Sequence, residues 1–287
     1  MASEERDRLI ANLRRLHLSH AANDIDDHLR RAKQLEQGHL AFLASLVEAE
    51  VLARNETGTQ RRLDRADFPE LCRIQDFDFS EQPALDRKAI LDLAELGFID
   101  RCEAVLFMGP SGVGKTHLSI ALGIKACEAG YDVLYTRAQQ LLARLYASLA
   151  DDTLEDVLEV FAKPDLLIVD ELGNSPRKHE HDYAGVFFEL VARRHRRGAI
   201  ALTTNFGFDE WPEHLGSQSQ LTPAIDRLVE GAHIFSFPSD APSFRAKRKK
   251  GPGPLPPTRK RRRRSKAEAC GLRPLAEHRR LPRTEGK

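Results

Sequence analysis

Residues 109–116, with the sequence GPSGVGKT, restrict the possible folds of this chain more than any other segment. They match the pattern G-x-x-x-x-G-K-[ST], in which glycines let the backbone curve around a phosphate so that several N–H groups point inward. The apolar run 104–108 before the loop predicts a buried strand, and residues 116–129 after it have the apolar spacing of a helix that ends at Gly130. A strand, this loop and a helix in that order predict a nucleotide-binding α/β domain.

Two side chains of this loop are expected to carry most of the phosphate chemistry. Lys115 would reach the β- and γ-phosphates of ATP, and the hydroxyl of Thr116 would bind Mg²⁺. The helix that follows adds the partial positive charge of its N-terminus. The predicted ATP-binding residues of the loop are Gly109, Pro110, Ser111, Gly112, Val113, Gly114, Lys115 and Thr116.

Two further apolar runs end in polar residues that suit nucleotide hydrolysis. Run 166–171 ends in Asp170, which can bind Mg²⁺, and Glu171, which can polarise an attacking water. On its own this doublet is more typical of an ordinary acidic turn, but next to a phosphate loop it favours hydrolysis over phosphoryl transfer to a small molecule. Run 199–205 ends in Asn205, which can contact both the γ-phosphate and the water, or can simply end a strand in a turn. In an open parallel sheet such strand ends meet at the ligand.

Two arginines are candidates for stabilising charge on the γ-phosphate. Arg227 lies in a predicted short helix before the apolar run 233–237 and is a candidate arginine finger for a neighbouring subunit; a surface arginine beside Asp226 is the alternative. Arg245 is a weaker candidate that would act within its own subunit. In the connector that begins at residue 67, Phe77 or Phe79 is a candidate to flank the adenine ring, with simple packing as the alternative.

The chain divides into three segments of different composition. Residues 1–66 have helical spacing and no strand-like run, so they predict a small all-helical domain. Residues 67–245 alternate strands and helices, with five predicted strands at 104–108, 131–135, 166–171, 199–205 and 233–237. Residues 246–287 hold 16 basic and three acidic residues, a net charge of +13, against −12 for the preceding 245 residues. This Pro-rich, basic tail is expected to be disordered and to bind a polyanion such as DNA through phosphate contacts.

Composition also predicts where the protein acts. The four cysteines show no C-x-x-C spacing, which favours free thiols in a reducing compartment over a zinc site. The N-terminus lacks the apolar core of a signal peptide, and no apolar stretch approaches the ~18 residues that a membrane-spanning helix needs. We therefore expect a cytoplasmic protein with no membrane partner.

Taken together, these motifs make the chain resemble the IstB-like ATP-binding proteins. These are the helper ATPases of bacterial insertion sequences, related to DnaC-type helicase loaders. The resemblance covers residues 9–250 and rests on LVEAE at 46–50, DFDF at 76–79, GPSGVGKTH at 109–117, the Asp-Glu doublet, the Asn of run 199–205 and DRL at 226–228.

The resemblance implies a fold and a set of site residues. The implied fold is a P-loop AAA+ type parallel sheet flanked by helices, with a small N-terminal helical domain. The implied roles are phosphate and Mg²⁺ binding for Lys115 and Thr116, Mg²⁺ binding for Asp170 and general base for Glu171. Asn205 would be a sensor of the γ-phosphate and Arg227 a finger acting in trans, and His117 joins the nucleotide-binding residues.

The chain also departs from the family pattern in two places. It continues for some 40 residues after Arg245, either as a DNA-binding arm or as a read-through end without a selected role. Residues 238–245 contain prolines and lack the glycine that the family tends to have before the arginine, which weakens the role of Arg245.

The residues predict an ATPase, and the resemblance further implies an ATP-dependent homo-oligomer on DNA that recruits or stimulates a transposase. A DnaC-type helicase loader has the same chemistry and differs in its partner. A small-molecule P-loop kinase and a non-catalytic DNA-binding adaptor that acts through the basic tail remain as alternatives from other classes.

Overall fold

The computed structural model describes residues 2–174 and 182–244, with side chains from residue 4 onward. Arg245 and the basic tail 246–287 lie outside these residues. All of the described residues belong to one compact unit. The chain begins with three helices, as its apolar spacing predicts: α1 (Ala2–Arg15), α2 (Ser19–Gln34) and α3 (His39–Ala66).

Within the described residues, five strands form one parallel sheet in the order β2-β3-β4-β1-β5. Parallel strands must be joined by crossovers, and helices supply them here. The strands are β1 (Ala104–Met108), β2 (Val133–Arg137), β3 (Leu166–Leu172), β4 (Ala199–Thr204) and β5 (His233–Ser236). With the phosphate loop directly after the β1 strand, this is the predicted P-loop fold of the AAA+ type.

Helices α1 to α3, residues 2–66, form a helical leader. Eight more helices of the described residues follow this leader and flank the sheet. A short helical turn at Ile74–Asp76 and another at Phe79–Glu81 belong to the connector between the leader and α4. The helices are α4 (Arg87–Leu93), α5 (Gly97–Asp100), α6 (Lys115–Ala129), α7 (Ala138–Ala147), α8 (Leu154–Ala162), α9 (Ala184–Arg194), α10 (Trp211–Leu215) and α11 (Gln218–Val229).

Side chains of the central strands alternate between two cores, one on each face of the sheet. In β1, Val105 and Phe107 join the core that contains α6, α4 and the connector, whereas Ala104 and Leu106 join the core that contains α7, α8, α9 and α11. All four are nearly or fully buried. This explains why the central strands read as continuous apolar runs: a parallel sheet is covered on both faces.

The leader has a small core of its own that α1, α2 and α3 share. Glu50 of α3 is buried there and accepts a hydrogen bond of 2.7 Å from the backbone N–H of Ala21, in the first turn of α2. At its other end, α3 contacts the body: Arg62 Nε donates to the carbonyl oxygen of Cys127 at 2.8 Å, and Arg65 pairs with Asp132 at 3.0 Å. One apolar stripe of α3 is exposed, and its members are Leu40, Leu43, Val47 and Val51.

Candidate functional site

A cleft of about 740 Å³ lies at the carboxyl edge of the sheet, next to the loop that follows β1. It brings together residues from the connector, the phosphate loop, β3, the end of β4 and the segment after β5. Its lining residues are Glu70, Leu71, Cys72, Asp76, Phe77, Asp78, Glu81, Ser111, Gly112, Gly114, Lys115, Thr116, His117, Glu171, Thr203, Asn205 and Phe244.

Two glycines of the loop are required by space as well as by backbone conformation. Gly109 has φ +143, and a Cβ there would lie 2.7 Å from the carbonyl oxygen of Phe237. Gly114 has φ +103, and a Cβ there would lie 2.4 Å from the ring of Phe77. Any larger residue at either position would displace a neighbour and strain the backbone, so the loop can hold its shape only with glycine.

Lys115, the first residue of α6, is 7% exposed and lies at the base of the cleft. Its Nζ donates to the carbonyl oxygens of Gly109 and Pro110 at 2.6 and 2.7 Å, and to Oδ1 of Asn205 at 2.8 Å. The bond to Asn205 joins residues 90 positions apart, so the end of β4 meets the start of α6 at this ammonium.

Asp170 is 2% exposed and is the centre of a hydroxyl cluster. Its Oδ1 accepts from the hydroxyls of Thr116 at 2.8 Å and Thr203 at 2.5 Å, and its Oδ2 accepts from Tyr135 at 2.8 Å. Burial, and then the Asp170 carboxylate, raise the pKa of Tyr135, so this phenol stays a donor. The cluster fixes the Asp170 carboxylate beside Thr116 at the start of α6.

A bulge in β3 brings Glu171 to the cleft beside Asp170. Val169 pairs with Leu202 and Leu172 pairs with Thr204, so Asp170 and Glu171 together oppose the single residue between those partners. Glu171 has a left-handed φ of 61°, and its backbone N–H donates to the Thr203 hydroxyl at 2.8 Å. Neighbours in a regular strand face opposite sides of the sheet, and a bulge re-aims them.

Asn205 follows the last residue of β4 and connects the base of the cleft to β3. Its Nδ2 donates to Oδ1 of Asn174 at 3.1 Å, while its Oδ1 accepts from Lys115. The amide therefore bridges the ammonium of the phosphate loop and the segment that follows β3.

His117 lines the cleft, but its imidazole is hydrogen-bonded to the connector. Its Nε2 lies 2.9 Å from the carbonyl oxygen of Arg73, and its ring lies 5.7 Å from that of Phe77. Cys72 is adjacent in the connector, and burial raises the pKa of its thiol to about 12, so the thiol is neutral at physiological pH.

Arg227 lies apart from this cleft, in the second half of α11. Its Nη1 donates to the carbonyl oxygen of Pro223 at 3.0 Å, and its guanidinium lies 5.0 Å from the centre of the Phe188 ring. It lines a smaller cleft together with Ala104 and Gly198, which lie at the amino ends of β1 and β4. Arg227 and Lys115 are therefore at opposite edges of the same sheet.

Sequence reasoning missed three residues of the site: Tyr135, Thr203 and Asn174. Thr203 is part of the polar end of run 199–205, and its position before Asn205 was the available signal. Tyr135 ended a predicted strand and gave no sign of its bond to Asp170, because the pairing depends on β2 and β3 being neighbours.

Comparison with known proteins assigns the chain to a family. A family model described as IstB-like ATP binding protein matches residues 11–251. A Pseudomonas aeruginosa protein, named for ATP binding in insertion sequence IS21, is 36% identical over 83% of this chain and 89% of its own length. A Geobacillus stearothermophilus counterpart from insertion sequence IS5376 is also 36% identical, over 82% and 92% of the two chains.

Solved structures that are similar to this chain are more distant. The crystal structure of DnaI matches with a TM-score of 0.48 and 21% identity, over 58% of this chain and 91% of that one. The DnaC helicase loader matches with a TM-score of 0.44 and 17% identity, over 53% and 87%. None of the described helices is long and apolar enough to cross a membrane. The family match and the two relatives confirm the predicted resemblance: this chain belongs to the IstB-like ATP-binding proteins.

Proposed function

We propose that the protein is an ATP-hydrolysing helper of DNA transposition, which assembles on DNA and recruits or stimulates a transposase. The observation that carries the ATPase part is the 2.8 Å hydrogen bond between Thr116 and Asp170, residues 54 positions apart. It brings the helix of the phosphate loop and the acidic end of β3 to one point, as a site for a metal-bound triphosphate requires.

Lys115 supports the binding of phosphate. Its ammonium is buried, faces the cleft and already bonds three oxygen atoms. A γ-phosphate oxygen would compete with Asn205 for this donor, because charge-assisted bonds to an anion are stronger than bonds to a neutral amide. ATP binding would thereby free Asn205 to contact the phosphate, which is the sensor role proposed for it.

The donor set beside Asp170 fits Mg²⁺. A hydroxyl and a carboxylate offer the hard oxygen ligands that this ion takes when it also keeps water and phosphate oxygens. Thr116 and Asp170 would hold the ion, while Tyr135 and Thr203 keep the carboxylate oriented. When bound, Mg²⁺ would neutralise charge that develops on the phosphates.

Glu171 and Arg227 complete the proposed reaction. Glu171 would take a proton from the attacking water, since the bulge brings its carboxylate to the cleft that Lys115 and Asn205 line. Arg227 lies at the far edge of its own sheet, so it would serve the site of a neighbouring copy in a head-to-tail homo-oligomer.

The DNA and transposase parts of the proposal rest on the family and on the sequence. The relatives are named for insertion sequences, and the tail carries a net charge of +13. We propose residues 1–66 as a helical domain, 67–245 as the ATPase domain and 246–287 as a DNA-binding arm of a cytoplasmic protein. Contacts of such an arm with DNA phosphates would give affinity without base specificity.

The substitution Glu171→Gln tests the hydrolytic role. We expect it to leave ATP binding intact and to lower the rate of hydrolysis by about 10²-fold or more, because the attacking water loses its base. ATP would then hold the variant on DNA, and release would become slow. The measurements are phosphate release and the lifetime of DNA-bound oligomers in the presence of ATP. Normal hydrolysis by this variant would refute the role of Glu171.

Partner capture distinguishes this proposal from a helicase loader. The purified full chain, loaded with ATP and DNA, is expected to bind an insertion-sequence transposase and not a replicative helicase. Capture of the helicase alone would favour the loader function.

A further inference from the structure

Three aromatic residues line the cleft, namely Phe77, His117 and Phe244, and the rings of Phe77 and Phe244 lie beside Gly114 of the phosphate loop. The connector also brings four acidic residues to the cleft, Glu70, Asp76, Asp78 and Glu81. We infer that Phe244 supplies the ring face against which the base of the bound nucleotide packs. This inference rests on the proposed ATP binding, in which the phosphates occupy the loop and the base contacts the lining beside it.

Phe244 reaches the cleft because the segment after β5 runs along the phosphate loop. Phe237 donates its backbone N–H to the carbonyl oxygen of Met108 at 2.8 Å, and Phe244 donates its own to Gly112 at 2.9 Å. In between, the buried side chain of Gln82 donates to the carbonyl oxygen of Pro242 at 2.8 Å. These three bonds attach residues 237–244 to both the loop and the connector.

The position of the Phe244 ring is set by contacts on one side. Its Cε2 lies 3.4 Å from where a Cβ would stand on Gly114, and its centroid lies 5.7 Å from that of Phe77, in an edge-to-face arrangement. The side chain is only partly buried, and it lines the cleft. A ring that packs against Phe77 and also lines the cleft is placed to contact a base.

The two phenylalanines of the connector are less suited to this role. Phe77 is 6% exposed and its ring is surrounded by Phe79, His117 and Phe244, with centroids 4.9 to 5.7 Å away. Phe79 lines a different groove, together with Arg87 and Leu91. The sequence offered these two residues as candidates with simple packing as the alternative, and the structure shows Phe77 as a buried ring packed against Phe244.

Packing on a ring face predicts a particular pattern of affinity. Every base has a π-face, so stacking strengthens the binding of any nucleotide and discriminates poorly between adenine and guanine. Inorganic tripolyphosphate has no base and would not contact Phe244. The backbone bond from Phe244 to Gly112 needs no side chain, so replacing the ring leaves this attachment of the loop in place.

The test compares ligands on the full-length Phe244→Ala variant by calorimetric titration with ATP, GTP and inorganic tripolyphosphate in the presence of Mg²⁺. We expect the affinity for ATP and for GTP to fall by roughly tenfold or more, which is the scale of base stacking on an aromatic side chain. The affinity for tripolyphosphate should be unchanged, which also shows that the variant folds. Phe244→Trp should restore nucleotide affinity. The matched control is Phe208→Ala, a half-buried phenylalanine outside the cleft.

Three outcomes would overturn the inference. An unchanged or higher affinity of Phe244→Ala for ATP would mean that the ring is not a base contact or blocks the site. An equal loss for ATP and tripolyphosphate would mean that the side chain supports the loop instead. A loss for ATP alone, with GTP unaffected, would mean that the side chain acts through an adenine-specific contact and not by stacking. Failure of the unmodified protein to bind either ATP or tripolyphosphate would instead refute the proposed function.

Discussion

Two buried cations lie at opposite edges of this sheet, and they are hydrogen-bonded in different ways. Lys115 at the carboxyl edge bonds two loop carbonyls and one side-chain amide, and it faces a cleft large enough for a nucleotide. Arg194 ends α9 near the amino edge and is 2% exposed. Its guanidinium donates to five backbone carbonyl oxygens, those of Phe161, Ala162, Pro164, Asp165 and Ala199.

The difference separates a cation that is available to a ligand from one that holds the chain together. Burial lowers the pKa of Arg194 to about 10, yet the group stays charged at neutral pH and ties the end of α8 to the start of β4. A ligand at Arg194 would have to displace five fixed carbonyl oxygens. A phosphate at Lys115 can displace the neutral amide of Asn205. In the sequence, Arg194 is one of four arginines at 193–197, and its spacing does not distinguish it from the others.

The largest effect is expected from substitution of Arg227, which also lies near the amino edge. This substitution tests whether residues at that edge contribute to catalysis. In the assembled protein, Arg227→Ala should lower ATP hydrolysis by roughly 10³-fold, the scale of other arginine fingers. Mixing this variant with Glu171→Gln should restore activity, because each supplies what the other lacks at a shared site. The measurement is phosphate release from the mixture in the presence of DNA.

The matched control for Arg227 is Arg196→Ala. Arg196 lines the same small cleft and pairs with Glu230 at 2.7 Å, and its loss should change hydrolysis less than about twofold, as for a surface ion pair. If the mixture stays inactive, Arg227 does not act on a neighbouring subunit, and the amino edge has only a structural part.

Lys115→Ala should affect binding and spare the fold. We expect ATP affinity to fall by roughly 100-fold, because charge-assisted bonds to the phosphates are lost. Thermal unfolding without nucleotide should change little, since the loop carbonyls can reach water through the cleft. Calorimetric titration and a melting curve give both values. Lys125→Ala, on the exposed side of the same helix, is the control that should leave both unchanged.

Arg194→Ala should show the reverse pattern. We expect the free energy of unfolding to fall by roughly 3 kcal/mol, because several buried carbonyls lose a charged donor. ATP affinity at 25 °C should stay within about twofold, since the phosphate loop lies at the other edge of the sheet. Arg193→Ala is the control: that residue pairs with the exposed Glu155 and should cost less than about 1 kcal/mol. If Arg194→Ala and Arg193→Ala had the same melting temperature, Arg194 would not have the structural role that distinguishes it from Lys115.

Much of the fold followed from local pattern. The strands at 104–108 and 166–172 and the helix after the loop have nearly the predicted bounds, because buried parallel strands and a helix that ends at glycine leave strong signals. The strand predicted from Tyr131 begins at Val133, since the N–H of Tyr131 bonds the end of α6. The short helix predicted near Arg227 is the 12-residue α11, which begins at Gln218 and has Pro223 in its interior.

The candidate site was only partly predictable. The phosphate loop, Asp170, Glu171 and Asn205 were found because each follows a strand in sequence. The bulge that turns Glu171 to the cleft was not, because it depends on how β3 and β4 pair. Phe244 carried no signal either: it lies 130 residues from Gly114, and only the return of the chain after β5 brings the two together.

By itself, the sequence determined which groups are candidates for chemistry, namely a glycine-rich loop and the acids and amide at strand ends, and the family to which the chain belongs. These follow from residues that are close in the chain, where spacing fixes geometry. Tertiary structure alone decided which of these groups meet, which arginine is buried, which edge holds Arg227 and which aromatic rings line the cleft. Those outcomes depend on strand order and on packing between segments far apart in the chain, and local pattern does not encode either.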